Sequence, residues 1–147
     1  MCSSDLSALD GSNTGETPAD EVVAEIRAMG GEAVANGDDV ADVEGANRMV
    51  QTAIDTFGGL DVLVNNAGII RDKMLINIDP DEFDLVVRVH LKGHFLPMKY
   101  AGTYWREQSK AGNDVDARII NTSSAAGLFG NIGQAHYASA KAGINAL

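Results

Sequence analysis

The sequence has little of the chemistry on which several protein classes depend. Among its 147 residues the only cysteine is Cys2, which excludes an intrachain disulfide and a multi-cysteine metal site. No stretch approaches about eighteen consecutive apolar residues, so no membrane span is expected. The N-terminal residues 1–15 contain neither a signal-peptide core nor an Arg-rich transit helix. With 45% hydrophobic and 22% charged residues, the composition predicts one soluble, cytoplasmic globular domain.

Basic residues are also scarce. Lys and Arg number 11 against 21 Asp and Glu, and the formal net charge is −10. Residues 1–61 carry thirteen acidic side chains and two arginines, whereas residues 62–147 are almost balanced. Such a chain lacks the basic surface that binds nucleic acid or anionic lipid. We attribute the excess of acidic residues to solvent-exposed helix faces. The alternative is that neighbouring sequence which would offset the charge is absent here.

Apolar periodicity and capping residues indicate regular alternation of helices and strands. The first predicted helix starts at Thr17-Pro18 and ends at Gly30. Three more are predicted at residues 42–57, 80–110 and 134–147, and Gly93 and Pro97 are expected to interrupt the third helix. The predicted strands cover residues 32–36, 60–64 and 118–121, and the second is apolar enough to be covered on both faces. This order predicts an α/β doubly wound parallel sheet, which binds ligands beyond the carboxyl ends of its strands.

Polar residues follow two of these strands. Asn65-Asn66-Ala67-Gly68 offers amides for hydrogen bonds, and its small residues let a ligand approach the backbone, although a plain turn has the same composition. Asp39, followed by Val40, could accept a hydrogen bond from an exocyclic amine or cap the next helix. Both segments are therefore candidates for a ligand site.

A third group follows the last strand. Tyr137 and Lys141 are four residues apart on a predicted helix, so both side chains project from one face. A nearby ammonium lowers a tyrosine pKa from its usual value of about 10, which suits proton exchange with an alcohol or carbonyl. Ser124 could orient that oxygen. A surface pair is the alternative for Tyr137 and Lys141 taken alone, but the serine thirteen residues upstream favours a site.

These motifs together resemble the short-chain dehydrogenase/reductase family. The matching stretches are residues 65–68, residues 119–124 with the sequence Ile-Ile-Asn-Thr-Ser-Ser, and residues 137–143 with the sequence Tyr-Ala-Ser-Ala-Lys-Ala-Gly. The resemblance extends from about Asp5 to Leu147. It implies a Rossmann-like sheet and an oxidoreductase that moves a hydride between NAD or NADP and a secondary alcohol or ketone.

The resemblance also implies roles for individual residues. Tyr137 becomes the general acid/base, Ser124 polarises the substrate oxygen, and Lys141 stabilises the phenolate and holds the nicotinamide ribose. Asn65 becomes a brace of the sheet. The implied cofactor-binding set is Asp39, Val40, Asn66, Ala67, Gly68, Tyr137 and Lys141.

One departure from the family pattern lies in the long helix. Many members have an asparagine that supports a proton relay, and here the position is His90, which could serve the relay or be a buried structural residue. This variant, together with residues 70–72 and 133–134, resembles the branch with the 3-hydroxyacyl-CoA dehydrogenase domain of peroxisomal multifunctional enzymes. His94 and His136 have no acidic partner at metal-like spacing, so we predict structural roles and no metal site.

A second departure concerns the phosphate site. The family begins with a strand and a glycine-rich loop that binds pyrophosphate, and no such motif occurs in the first forty residues. Asp5 resembles the acidic residue that binds the adenosine ribose and favours NAD. Residues 144–147 carry no helix stop. In the strand order 3-2-1-4-5-6, the strands at 32–36 and 60–64 are not neighbours. We therefore expect an internal part of a longer dinucleotide-binding domain, without its first and C-terminal strands.

The alternatives are a non-catalytic nucleotide-binding or interaction module, an inactive fragment of such an enzyme, and a serine hydrolase using Ser124 and His136. The hydrolase lacks the G-x-S-x-G elbow. The resemblance implies a small-molecule substrate, with a 3-hydroxyacyl or 3-oxoacyl thioester as the first choice. It further implies a homo-oligomer, a tetramer or dimer, assembled through residues 80–110 and 134–147.

Overall fold

A computed structural model describes residues 17–147. The interpretation of Asp5 as a ribose-binding residue lies outside the described residues. The helices are α1 (Pro18–Ala28), α2 (Val43–Phe57), α3 (Pro80–Val87), α4 (Gly93–Lys110), α5 (Ala126–Phe129) and α6 (Ala135–Ala146). The strands are β1 (Val62–Asn65) and β2 (Arg118–Asn121), and a π turn (Arg88–Lys92) joins α3 to α4. A short 3-10 turn covers Leu75–Asn77.

The first two helices begin and end where their capping residues predict. Thr17 and Asp20 form a capping box at the start of α1, in which each side chain bonds to the other's backbone N–H. The Asp42 carboxylate accepts from the Gly45 N–H at 2.7 Å and starts α2. Gly58 ends α2 in the left-handed conformation at φ +80°, which favours glycine. Local chemistry alone therefore sets these boundaries.

The sheet of the described residues has two parallel strands, with Val62 opposite Arg118 and Asn65 opposite Asn121. The prediction of a strand at residues 32–36 is wrong, since that segment is not paired with any strand within residues 17–147. In the 3-2-1-4-5-6 order its partner is the second strand, which these residues do not supply. The segment is held instead by the Arg27 side chain, whose Nη2 donates to the Ala33 carbonyl at 2.8 Å.

The two faces of the sheet differ in burial. On one face, Leu63 packs against a core of Val50 and Trp105, contributed by α2 and α4. On the other, Val62 and Val64 are 48% and 57% exposed within the described structure. The prediction that this strand is covered on both faces is therefore wrong for residues 17–147, where no helix packs on the second face.

The long helix is interrupted, although not by its proline. Pro97 lies buried inside α4, and the interruption is the π turn, closed by the Gly93 N–H donating to the Arg88 carbonyl. Proline removes only the N–H that would bond to the Gly93 carbonyl, at the junction with that turn, so α4 continues past it. Gly93 is needed for packing, because a β-carbon there would lie 2.8 Å from the Val40 Cγ2 atom.

The predicted last helix is confirmed as α6, and the short α5 before it was not predicted. The two helices approach closely at Gly127, where a β-carbon would lie 2.7 Å from the Lys141 backbone carbon. α6 also packs against α3 and the π turn. Among residues 17–147, no helix is long and apolar enough to cross a bilayer.

Candidate active site

Tyr137 and Lys141 lie together on α6. The Lys141 Nζ atom is 5.6 Å from the centroid of the Tyr137 ring, as the four-residue spacing predicts. Lys141 is only 3% exposed, and its Nζ donates to the Thr122 carbonyl at 2.5 Å. Burial lowers the pKa of Lys141. The helix thus presents a half-buried phenol beside an ammonium whose position is fixed by the end of β2.

Ser124 lies on the loop between β2 and α5. Its Oγ accepts from the Ala126 N–H at 3.2 Å, and the neighbouring Ser123 Oγ donates to the Lys141 carbonyl at 3.2 Å. The loop is therefore tied to α6. Within residues 17–147 the hydroxyls of Ser124 and Tyr137 are not hydrogen-bonded to each other. The structure places the serine on the adjacent loop without joining the two groups directly.

The Asn-Asn-Ala-Gly segment divides its two amides between different roles. Asn65, the last residue of β1, is 5% exposed and its Nδ2 donates to the Asn121 Oδ1 at 2.9 Å. The expectation that Asn65 braces the sheet is confirmed, since this bond joins the two strand ends. Asn66 is exposed, Ala67 is half-buried and Gly68 is exposed. These three residues are accessible to a ligand at the carboxyl edge of the sheet.

His90, in the π turn, lies between this segment and α6. Its Nε2 is 2.7 Å from the Ile69 carbonyl oxygen and 3.1 Å from the Ile69 nitrogen. On the other side its ring meets the Tyr137 ring edge-on, with centroids 5.1 Å apart and an interplanar angle of 90°. Burial lowers the pKa of His90, against a smaller opposing effect of the Ile69 hydrogen bond. Burial therefore favours the neutral form of the imidazole.

Asp39 contacts the same π turn, and Val40 packs against Gly93, the first residue of α4. The Asp39 carboxylate pairs with the Arg88 guanidinium and accepts from the Ala41 N–H at 2.8 Å. Although partial burial acts to raise the pKa of Asp39, these partners lower it overall. The Asp39 side chain is 45% exposed, so a ligand amine can still approach the carboxylate. The structure thus brings the adenine-binding candidates onto the segment that carries His90.

The other two histidines are fully buried. His94 and His136 are 0% exposed, and their ring nitrogens have no hydrogen-bond partner within residues 17–147. Burial, with a smaller effect of the Lys141 charge, lowers the pKa of His94 to about 4. His136 is not paired with Ser124, so the geometry gives a serine hydrolase no support. No group of three or more His, Cys, Asp or Glu in the described part of the chain could hold a metal ion.

The residues present fit part of a nicotinamide dinucleotide. Lys141 has ammonium protons beyond the one donated to Thr122, which suit ribose hydroxyls, and the exposed Asn66 and Gly68 leave room for a flat or sugar-like group. The half-exposed Asp39 carboxylate suits an adenine amine. Residues 17–147 contain no glycine-rich loop at a helix N-terminus for the pyrophosphate. The fit is therefore to the nucleoside portions.

Sequence reasoning missed two contributors to this site. Arg88 pairs with Asp39 across 49 positions, and the Thr122 carbonyl fixes the Lys141 ammonium. The local sequence indicates neither contact, because every residue has a backbone carbonyl and arginines are common on exposed helix surfaces. Both contacts become visible only when the elements are packed.

The comparisons with known proteins agree with this geometry. A family model described as short chain dehydrogenase matches residues 9–147. Hydroxyacyl-CoA dehydrogenase ChsB1 of Mycobacterium tuberculosis is 48% identical over 143 residues, which cover 96% of this chain and 44% of that protein. Peroxisomal multifunctional enzyme type 2 of Mus musculus is 47% identical over 134 residues, which cover 91% of this chain and 17% of that protein.

A solved structure gives the same result. The crystal structure of a short chain dehydrogenase from Mycobacterium avium superposes with a TM-score of 0.90 at 58% identity. The match covers 99% of this chain and 51% of that one. The chain therefore spans about half of that structure, and less than half of the two curated relatives above. The fold is an incomplete Rossmann-like α/β sheet.

Proposed function

Because the chain belongs to the short-chain dehydrogenase family, we propose that it carries the proton-transfer residues of an NAD(P)-dependent oxidoreductase. The observation that carries the proposal is the Tyr137 ring beside the buried Lys141 ammonium, 5.6 Å apart, next to the loop that holds Ser124. Family membership supports dinucleotide binding in general and leaves the choice between NAD and NADP to experiment.

The proposed chemistry divides the work between the cofactor and this chain's residues. When bound, the nicotinamide supplies the hydride exchange. Tyr137 accepts the proton of a secondary alcohol during oxidation and donates it to the carbonyl oxygen during reduction. Lys141 stabilises the phenolate through its charge, and Ser124 donates a hydrogen bond that orients the reacting oxygen. The Thr122 carbonyl keeps the ammonium beside the ring throughout.

The proposed cofactor site uses the residues around this centre. Lys141 holds ribose hydroxyls with its remaining protons, and Asn66, Ala67 and Gly68 line the dinucleotide. Asp39 and Val40 contact the adenine, and the Arg88 guanidinium orients the Asp39 carboxylate through their ion pair. Support for this arrangement comes from the exposure of Asn66 and Gly68 and from the half-exposed carboxylate of Asp39.

We propose a 3-hydroxyacyl or 3-oxoacyl thioester as the substrate class. The support is the name of the M. tuberculosis relative, a hydroxyacyl-CoA dehydrogenase, at 48% identity. Fold alone does not fix a substrate, so the assignment depends on this likeness.

The test is a dehydrogenase assay with Tyr137→Phe. We expect wild-type protein to reduce NAD or NADP with a 3-hydroxyacyl-CoA, and the variant to lose activity by about a thousandfold or more, because the proton acceptor is gone. Dinucleotide affinity should change only a few-fold. Tyr100→Phe is the matched control, since Tyr100 also lies beside a lysine, with the Lys99 Nζ 5.3 Å from its ring, away from the site. Retained activity in Tyr137→Phe would reject the assigned role.

The assay should be run on the 147-residue chain and on any longer reading frame found by sequencing the gene on both sides. Activity in the longer protein alone would show that further segments complete the site. Activity in neither, with dinucleotide binding retained, would favour a non-catalytic nucleotide-binding module.

We also propose that the protein self-associates through α3, α4 and α6. Their outer surface forms a groove of about 840 Å³ that includes the apolar residues Leu85, Leu91, Phe95 and Leu147. Phe95 is 47% exposed there. Phe95→Ser should lower the molecular mass measured by sedimentation, whereas Phe57→Ser, at a residue 42% exposed on α2, should not.

A further inference from the structure

Two polar stretches of the sequence have no part in the chemistry proposed above. They are residues 70–72, which follow the Asn-Asn-Ala-Gly segment, and residues 133–134, which directly precede α6. In the structure the two stretches are in contact, although 62 positions separate the residues that meet. The contact lies between the loop that leaves β1 and the start of the helix that carries Tyr137.

Both ends of the Gln134 amide take part in this contact. Its Nε2 donates to the Asp72 Oδ1 at 2.9 Å, and its Oε1 accepts from the Asn131 Nδ2 at 2.8 Å. An ionised carboxylate can only accept hydrogen bonds, so Asp72 fixes which way the amide points. Gln134 thereby joins the loop after β1 to the segment that connects α5 to α6.

Gln134 occupies the N-cap position of α6 without capping the helix. Its backbone has φ −129° and ψ 33°, and its side chain makes no hydrogen bond to the first turn. Asp, Asn, Ser and Thr are the residues that cap helices well, as Thr17 and Asp42 do for α1 and α2. The start of α6 therefore lacks a side-chain cap, and its amide makes a contact outside the helix instead.

Lys73 adds two contacts at the same place. Its N–H donates to the Gly133 carbonyl at 2.8 Å, and its Nζ donates to the Glu82 Oε2 at 2.5 Å in the first turn of α3. The hydrogen bond with Glu82 raises the pKa of Lys73, so the ammonium stays charged. One loop therefore holds the starts of α3 and α6. We refer to the residues that make these contacts as the rim clip: Asp72, Lys73, Glu82, Gly133 and Gln134.

We propose that the rim clip positions Tyr137 relative to the loop that holds Ser124, with Gln134 as the positioning residue. Tyr137 lies in the first turn of α6, so a shift of the helix start moves the phenol. Ser124 and Asn131 flank α5, so the same amide also restrains the segment that follows the serine. A substrate oxygen must lie within hydrogen-bond reach of both hydroxyls. The clip therefore sets the gap that this oxygen enters, without touching the reacting atoms. This inference rests on the proposed function.

A reversal of donor and acceptor tests the contact, in the whole protein. Gln134→Glu sets two carboxylates against each other, whereas Asp72→Asn keeps an acceptor for the Gln134 amide. In the double variant the new amide donates to the new carboxylate, and Asn131 keeps its acceptor. We expect Gln134→Glu to lose about tenfold in kcat and to raise the KM for the 3-hydroxyacyl thioester severalfold, as small misplacements do. Asp72→Asn and the double variant should stay within about threefold of wild type. Failure of the double variant to recover would overturn the proposal.

Gln51→Glu is the matched control. The Gln51 Nε2 donates to the Asp55 Oδ1 at 2.7 Å on α2, so this variant creates the same carboxylate pair and the same change in net charge away from the site. Its kcat and KM should stay within about twofold of wild type. A loss of folded protein would lower only the apparent kcat, so the raised thioester KM of Gln134→Glu distinguishes misplacement from instability. A lowered kcat with an unchanged thioester KM would contradict the positioning role.

Amide hydrogen exchange at Lys73 supplies a readout independent of activity. Because its N–H is bonded to the Gly133 carbonyl, we expect faster exchange in Gln134→Glu and a return to the wild-type rate in the double variant. Unchanged exchange in Gln134→Glu would overturn the inference whatever the enzyme does. If Lys73 responds as expected while Tyr137→Phe remains active, the proposed function fails and the contact made by Gln134 stands.

Discussion

The two faces of the small sheet show how this part of the fold is supported. On the covered face, Leu63 joins Val50 and Trp105 in a core, and the Trp105 Nε1 donates to the Leu60 carbonyl at 2.5 Å. On the open face, Val62 and Val64 are about half exposed within residues 17–147. The site nevertheless keeps its geometry, because Tyr137, Lys141 and His90 are ordered by packing between α6, α3 and the π turn. Helix contacts position these side chains, and the sheet adds the brace at its carboxyl edge.

The largest expected difference between the faces is in stability. Trp105→Ala should lower the free energy of unfolding by about 3–5 kcal/mol, since it leaves a cavity and an unpaired Leu60 carbonyl. Val64→Ala should cost less than about 1 kcal/mol, because its side chain is 57% exposed. Urea denaturation of both variants checks this. Similar losses would mean that the open face is covered in solution.

The next effect is a pH dependence of stability that arises from the buried His94. The pKa of His94 is lowered to about 4 by burial, while an unfolded histidine has a pKa of about 6.5. Below about pH 6.5 the His94 imidazole therefore binds a proton in the unfolded chain but not in the folded chain. Stability should fall as the pH drops from about 6.5 to about 4, by at most roughly 3 kcal/mol, and this term should level off below pH 4.

His94→Gln isolates this term, because carboxylates also titrate at the acidic end of the range. Denaturation midpoints of wild type and variant should differ in slope between about pH 6.5 and 4, and run parallel above pH 7. Identical slopes over the whole range would show that His94 is not the group responsible.

The smallest expected effect is a difference in stability between alanine variants of two neighbouring asparagines, Asn65 and Asn66, at the carboxyl edge of the sheet. Asn65→Ala should cost about 1–3 kcal/mol of stability, because it leaves the half-buried amide oxygen of Asn121 without its donor. Asn66→Ala, at an exposed residue, should change stability by less than about 0.5 kcal/mol and weaken dinucleotide binding instead. Thermal melts with and without dinucleotide measure both. A reversed order of stabilities would refute the division of roles.

The elements that the sequence predicts well are those with a local cause. The Thr17 box, the Asp42 cap and the left-handed Gly58 each set a helix boundary without help from distant residues. The four-residue spacing of Tyr137 and Lys141 likewise places both on one face of α6. These signals are short-range, and a single sequence contains them completely.

The errors come from interactions that the local sequence does not contain. Residues 32–36 have a strand-like composition, but a strand needs a hydrogen-bonding neighbour, and residues 17–147 supply none there. The apolar run of β1 predicts two covered faces, while the described residues cover one. The interruption of the long helix depends on how α3 and α4 meet different neighbours, so it falls at the π turn and not at Pro97. Assignments of the catalytic and cofactor-binding residues remain predictions that the proposed assays address.

The π turn, residues 88–92, also holds one residue more than an ordinary helical turn. An α-helix rotates by about 100° per residue, and the wider turn absorbs an extra residue between two helices with different partners. α3 faces α6, whereas α4 faces α2 and β1. Deleting one residue here would leave an ordinary helical turn, with α3 and α4 still facing the same neighbours. Deleting one residue inside α4 would instead turn the part of the helix that follows by about 100° and move Trp105 out of the core.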